Sequence, residues 1–162
     1  MITKFADLKP IFEVDIHEVL AECIDNKETK DVILRMNKSQ LWDGKSKTGD
    51  DLRPYYSEDP YFKTKEKAIA YRNWKKRITS NSIRNDDAPN LFINGYFYRS
   101  ITIDRGAKNV FEFGGKNSLA TDIINKYPLA LGLTNENYIK LTWDYLFDSL
   151  RENLLKRLKV SL

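Results

Sequence analysis

The chain has 162 residues, of which 41% are apolar, 12% aromatic and 31% charged, with a formal net charge of +4. No apolar run approaches the ~20 residues a membrane span needs, and the mean hydropathy is −0.56. One cysteine, Cys23, and one histidine, His17, exclude an internal disulfide, a multi-cysteine zinc site and most histidine-based chemistry.

The length suits one domain over 1–162, with residues 1–9 as a candidate arm. The segment Met1–Asp7 has neither a long apolar core nor a cleavage signature, so no secretory signal is expected. Lys9-Pro10 is expected to open a helix, proline being suited to the first helical position. Ile11, Val14, Val19, Leu20, Cys23 and Ile24 then recur at helical spacing. Asp25-Asn26-Lys27 breaks or kinks this pattern, and Val32, Ile33, Met36 and Leu41 carry a second helix that ends near Gly44. Residues 43–60 read as a long loop, punctuated by Asp43-Gly44, Thr48-Gly49-Asp50 and Arg53-Pro54. Leu52, Tyr55 and Tyr56 are expected to tack it to the body, and a loop this long is usually functional.

Residues 61–79 predict a helix, with Tyr61, Ala68, Ala70, Tyr71, Trp74 and Ile78 interleaved with basic residues. Trp74 is expected in the core. A polar loop over 80–90 ends in Ala88-Pro89-Asn90, and Leu91 to Ser100 is ambiguous between helix and strand. Ile101-Thr102-Ile103 predicts a strand, Arg105 to Asn109 a hairpin turn, and Val110 to Phe113 the return strand, closed by Gly114-Gly115. A short helix over 118–126 must stop before Pro128. Thr134 predicts the cap of a last helix, with Glu136 in its first turn. Ile139, Trp143, Leu146, Leu150, Leu154 and Leu158 form its expected core stripe. The fold class is α+β: N- and C-terminal helices packed on a small antiparallel β-sheet, with the long loop at 43–60.

Charge is unevenly placed. Residues 1–60 hold 9 basic and 13 acidic side chains, 61–116 hold 12 and 5, and 117–162 hold 6 and 5. The middle segment therefore suggests an acidic partner surface or a polyanion, against the plain alternative of a solvated helix face. Its carriers are Lys63, Lys67, Arg72, Lys75, Lys76 and Arg77, with Arg84 following and only Glu66 opposed.

Catalytic constellations are sparse. Gly114-Gly115-Lys116-Asn117-Ser118 lacks both the first glycine and the hydroxyl residue of a phosphate loop. His17 lies one turn after Glu13 without a neighbouring nucleophile, and Cys23 reads as a small buried apolar group. Asp104 and Glu112 fall on opposite arms of the hairpin with Lys116 beyond, an arrangement that could hold Mg²⁺ for phosphodiester cleavage but reads more simply as solvent-facing strand charge. No cofactor, metal or catalytic step is expected.

Three separated blocks then align with one family. They are Gln40-Leu41-Trp42-Asp43-Gly44 with Gly49, Leu52, Pro54 and Tyr55; Pro89-Asn90-Leu91-Phe92-Ile93-Asn94-Gly95-Tyr96-Phe97-Tyr98-Arg99-Ser100-Ile101; and Tyr127-Pro128-Leu129-Ala130-Leu131-Gly132-Leu133-Thr134. Together they resemble the phage virion-morphogenesis, or tail-completion, family of the Mu-like type over about residues 10–160. The likeness is nearest to neck or tail structural proteins of phages of gut Bacteroidetes. Asn94 stands where the family commonly has threonine. The resemblance implies a structural virion protein of a tailed bacteriophage, placed in the neck, as a head–tail connector, or at the tail top. It would assemble in the host cytoplasm as a homo-oligomeric ring and be carried in the virion. Portal, adaptor or tail-tube proteins are the implied neighbours, with packaged DNA in the lumen as a further one and no membrane. The 43–60 loop and the hairpin are the expected contact elements: Trp42, Tyr55, Tyr56, Arg105 and Lys108 join the basic residues as interface candidates. Gly44, Gly49, Pro89, Gly95, Phe97, Ser100 and Gly132 form the structural motif, in which Gly95 would bend the backbone and Phe97 and Ile101 would plug the core. The alternative is a nucleic-acid-binding protein using the basic 61–84 segment.

Overall fold

Asp15 sets where the first described helix begins. Its side chain accepts hydrogen bonds from the backbone N–H groups of His17 and Glu18 at 2.9 and 3.2 Å, which satisfies donors that a helix start leaves unpaired. The computed structural model describes residues 14–158, so the expected helix start at Lys9-Pro10, the arm over 1–9 and the Glu13–His17 pair lie outside the described residues. Val14 and Asp15 are not helical, and α1 spans Ile16–Asp25. Asn26 is the expected break: it closes α1 and caps α2 (Lys27–Trp42), its Oδ1 accepting from the Glu28 N–H at 2.8 Å.

The loop after α2 is held down along its length. Lys45 and Asp51 pair across it, and Leu52 and Tyr56 are buried. The next helix, α3, spans Lys65–Ile78 and is capped by Thr64. It starts four residues later than the apolar spacing predicts, because the Thr64 cap fixes its first turn and Pro60 to Lys63 are spent in a turn. The ambiguous segment resolves into a turn followed by the short helix α4 (Tyr96–Ser100). Gly95 precedes it in the left-handed region at φ 76°, and a Cβ there would lie 2.9 Å from a guanidinium nitrogen of Arg99 and 3.2 Å from the Phe92 ring. Glycine is thus the residue that fits this bend without strain. Ser100 turns the chain into the sheet by donating from Oγ to the Phe97 carbonyl at 2.7 Å.

The antiparallel hairpin pairs β1 (Ile101–Arg105) with β2 (Phe111–Gly115). The glycines end β2 as expected but are themselves paired: Gly114 with Thr102, and the terminal Gly115 with Ile101. Packing explains the second glycine, since a Cβ on Gly115 would collide with Cβ of Ala120 in α5 (Ser118–Lys126). The last segment is α6 (Asn135–Leu141), a π-turn over Thr142–Leu146 and α7 (Phe147–Leu158). Thr134 caps α6 as expected, accepting from the Asn137 N–H at 3.2 Å.

The fold is α+β, with a two-stranded sheet among helices from both ends of the chain. Two apolar clusters meet on one face of the hairpin. Ile101 packs with Leu41, Leu52, Phe97, Tyr98, Ala120, Tyr127 and Ala130. Ile103 packs with Cys23, Val32, Ile33, Leu133, Leu141 and Leu146. Leu34 and Phe113 touch both clusters and join them. Phe97 and Ile101 therefore occupy the core positions expected of them, and each such fully buried side chain contributes about 1.5–3 kcal/mol.

A buried polar tie fixes the third block of the sequence to α2. Asn37 donates from Nδ2 to the carbonyls of Ala130 and Gly132 at 3.1 and 2.8 Å. Gln40 donates to the carbonyls of Ser46 and Gly132 and accepts from the Thr134 N–H and the Asn137 amide. Gly132, at φ 127°, presents its carbonyl to both amides while its backbone lies against the Lys47 stem. No helix among the described residues is long and apolar enough to cross a membrane.

Candidate functional site

The basic middle segment divides into two populations. Lys63, Lys65, Lys67, Lys76 and Arg77 are exposed, and Arg72 is half-buried. Lys76 pairs with Asp86 at 2.6 Å; the others form no ion pair among the described residues. Trp74 stacks on Tyr71 with 5.3 Å between ring centroids but keeps about a third of its surface exposed, so it borders the core instead of entering it. Lys67, Ala70, Trp74 and Ile78, at three- and four-residue spacing, give α3 an exposed side of mixed apolar and basic character.

Lys75 does not belong to that face. It is 1% exposed, and its ammonium donates to Oδ1 of Asn90 at 2.6 Å and to the carbonyl of Phe92. The convergence comes from a tight turn: Leu91 sits at φ 54°, and Asn90 Oδ1 also accepts the Phe92 N–H at 3.2 Å. Arg84 is buried too, donating to the Thr79 carbonyl at 3.0 Å and to its hydroxyl. Neither cation has a carboxylate partner among the described residues. Burial, with the Arg84 charge as a smaller second cause, lowers Lys75 to about 8. Tyr56, expected on an interface, is likewise buried, against Phe62 and Tyr71, and burial raises its hydroxyl well above the usual phenol. Lys75 and Tyr56 are corrected from surface contacts to interior groups. The physical reason is that α3 lays one side against the 56–62 and 88–93 segments, and Lys75 falls on that side.

The remaining candidates are mostly engaged internally. Trp42 packs edge-on against Phe92 at 5.2 Å. Tyr55 donates to Asp51 at 2.9 Å and carries the Arg53 guanidinium 4.0 Å above its ring. Arg105 holds the hairpin to α1 through both oxygens of Glu18 at 2.9 Å, which lowers the Glu18 carboxyl. Lys108, at φ 56°, is exposed at the hairpin tip. Asp104 and Glu112 stand directly opposite one another across the hairpin, both exposed. No group of three or more His, Cys, Asp or Glu suited to a metal occurs among the described residues.

Six acidic side chains of the N-terminal part are paired within the chain. Glu18 pairs with Arg105, Glu22 with Arg157, Asp25 with Lys30, Asp51 with Lys45, Glu58 with Arg53 and Asp59 with Lys126. Asp15, Glu28, Asp31 and Asp50 stay exposed without an ion pair among the described residues, and further exposed acids lie along the C-terminal helices: Glu136, Asp144, Asp148 and Glu152. Between them is the surface that sequence spacing misplaces. Ile139 is 54% exposed, Trp143 64% and Phe147 50%, and the Trp143 and Phe147 rings lie 5.5 Å apart. The extra residue of the π-turn rotates these positions off the core face, which Leu141, Leu146 and Leu150 occupy instead. A π-turn has no local signature in composition, so the signal was absent; the buried Asn37 and Gln40, by contrast, stand on the same stripe as Ile33 and Leu41 and were visible as polar residues in core register.

Comparison with protein-family models, curated proteins and solved structures found no match to this chain.

Proposed function

We propose that this protein is a structural component of a tailed-phage virion, in the neck or at the tail top, that assembles as a homo-oligomeric ring. The observation that carries the reading is the exposed Ile139–Trp143–Phe147 stripe, flanked by Tyr138 and Tyr145. Contiguous apolar surface of this kind marks an interaction site. The resemblance of the three sequence blocks to virion-morphogenesis proteins supplies the assembly, and portal, adaptor or tail-tube proteins its neighbours.

Charge supports a head-to-tail contact between copies. The stripe is bordered by Asp144 and Asp148, while α3 exposes Trp74 and Ile78 among Lys67 and Arg77. Two different, complementary patches on one chain generate a closed ring when the rotation between subunits closes, and charge across such an interface fixes register. A second reading, nucleic-acid binding by the 61–84 segment, is favoured by Lys63, Lys65, Lys67 and Arg77 remaining exposed without ion pairs among the described residues. In that reading Lys67 and Arg77 contact phosphates instead of a neighbouring copy.

Electron microscopy of the purified full chain separates the two. Ring-shaped particles that disappear in Trp143→Glu support assembly through the stripe. Dispersed monomers that bind random DNA, with affinity falling steeply as salt rises, support the second reading and oppose the first.

A further inference from the structure

A cavity of about 350 Å³ opens between the 56–62 segment, α3, the 89–93 turn and the end of α5. Its walls are aromatic and aliphatic: Tyr56, Phe62, Tyr71 and Tyr127, with Leu91 and Ile93 opposite. Its polar content is unusual, because Lys75 is part of the wall and is held there by Asn90 and Phe92, both uncharged. An ammonium has three donors, and those two acceptors are its only partners among the described residues. The one carboxylate in the wall, Asp59, is already neutralised by Lys126 at 2.6 Å. Arg84 adds a second buried cation nearby without a carboxylate of its own. A buried charge normally has a counter-charge, and here the protein supplies none.

We infer that this cavity is a binding site for a small aromatic or aliphatic monocarboxylate, whose apolar body stacks among Tyr56, Phe62, Tyr71 and Tyr127 and whose carboxylate is held by Lys75. A charge-assisted hydrogen bond to the third ammonium donor completes the set Asn90 and Phe92 begin. A single negative charge matches the site: the walls offer little to solvate the further oxygens of a phosphate dianion. The wider cleft of about 700 Å³ between α2 and residues 134–145 is a weaker candidate, because Gln40, Thr134 and Asn137 in its wall already satisfy one another. The left-handed Leu91 lies in the wall, between the two residues that accept from Lys75, and backbone held in such a conformation is often tied to ligand contacts.

The test is calorimetry on the full chain with 3-phenylpropionate and its neutral isostere, 3-phenylpropionamide. The expected result is saturable binding of the carboxylate, with the amide at least about tenfold weaker. Lys75→Met should abolish that preference; because it also strips a partner from Asn90, its folding is checked by circular dichroism. Ile93→Asp is therefore the companion variant: Ile93 is 59% exposed at the cavity wall, so folding should persist by circular dichroism while a carboxylate at the mouth weakens the acid at least about tenfold more than it weakens the amide. Equal binding of acid and amide to the unaltered chain overturns the inference, as does absence of binding up to about 10 mM, or undiminished acid binding by Ile93→Asp.

Discussion

Leu141 and Leu146 stand five residues apart and both face the core, buried at 4% and 7% exposure. In a regular helix that separation would set them about 140° apart. The π-turn between them absorbs one extra residue, and the same rotation turns Trp143 outward. The burial of two leucines and the exposure of a tryptophan are one geometric fact.

Leu146→Ala should accordingly cost about 2–5 kcal/mol, the range for truncating a packed leucine. Trp143→Ala should change monomer stability by less than about 0.5 kcal/mol, as exposed sites do. Urea unfolding midpoints of the two variants, measured below the concentration at which copies associate, check the contrast. Comparable losses would mean that the helix is regular and Trp143 is core.

Gly95→Ala should destabilise by about 1–2 kcal/mol, because an alanine must take up a left-handed conformation and push aside Arg99 and Phe92. Gly95→Asn should recover part of the loss, since asparagine tolerates that region. Thermal unfolding of both variants reads the difference; an alanine variant as stable as the parent contradicts the bend.

The tie between Gln40 and Gly132 predicts a local effect. Gln40→Met keeps the volume but leaves the Gly132 and Ser46 carbonyls and the Thr134 N–H short of partners. The expected cost is about 1–3 kcal/mol, with faster hydrogen exchange at Thr134. Unchanged exchange at that amide would show that the block is held by other contacts.

Much of this architecture was legible in the chain. The break at Asn26, the hairpin, α5 and the Thr134 cap each rest on local chemistry: a side-chain acceptor before a helix, β-branched residues, a turn, a proline. What escaped depends on contacts distant in sequence. Lys75 looks like one more surface lysine until the Asn90–Phe92 turn closes on it. Gly115 looks like a mere strand terminator until Ala120 of α5 packs against it and leaves no room for a Cβ. The ion pairs that occupy the N-terminal acids link residues up to 135 positions apart, so net charge by segment overstated the acidic surface left free.

Lys75 gives the protein a distinctive pH dependence. Its folded-state value of about 8 lies below the ordinary 10.5, so between those values the unfolded chain binds more protons and stability rises with pH. Burial raises the hydroxyls of Tyr56, Tyr98 and Tyr127, so the opposite trend sets in above about pH 10 as the unfolded tyrosines ionise. Urea midpoints should therefore gain about 1–2 kcal/mol of stability between roughly pH 7.5 and 9.5. Lys75→Met should flatten that rise. A parent profile that is flat or falling across the window contradicts a buried, uncompensated lysine.

In the proposed ring the Trp143 stripe joins copies of this chain into a closed assembly. Native mass spectrometry of the full chain at neutral pH measures it directly. The expected result is one dominant species at a whole-number multiple of 19.0 kDa, reduced to the single-chain mass by Trp143→Glu with circular dichroism unchanged. A parent chain that stays at the single-chain mass at tens of micromolar, or an oligomer indifferent to Trp143→Glu, would contradict it.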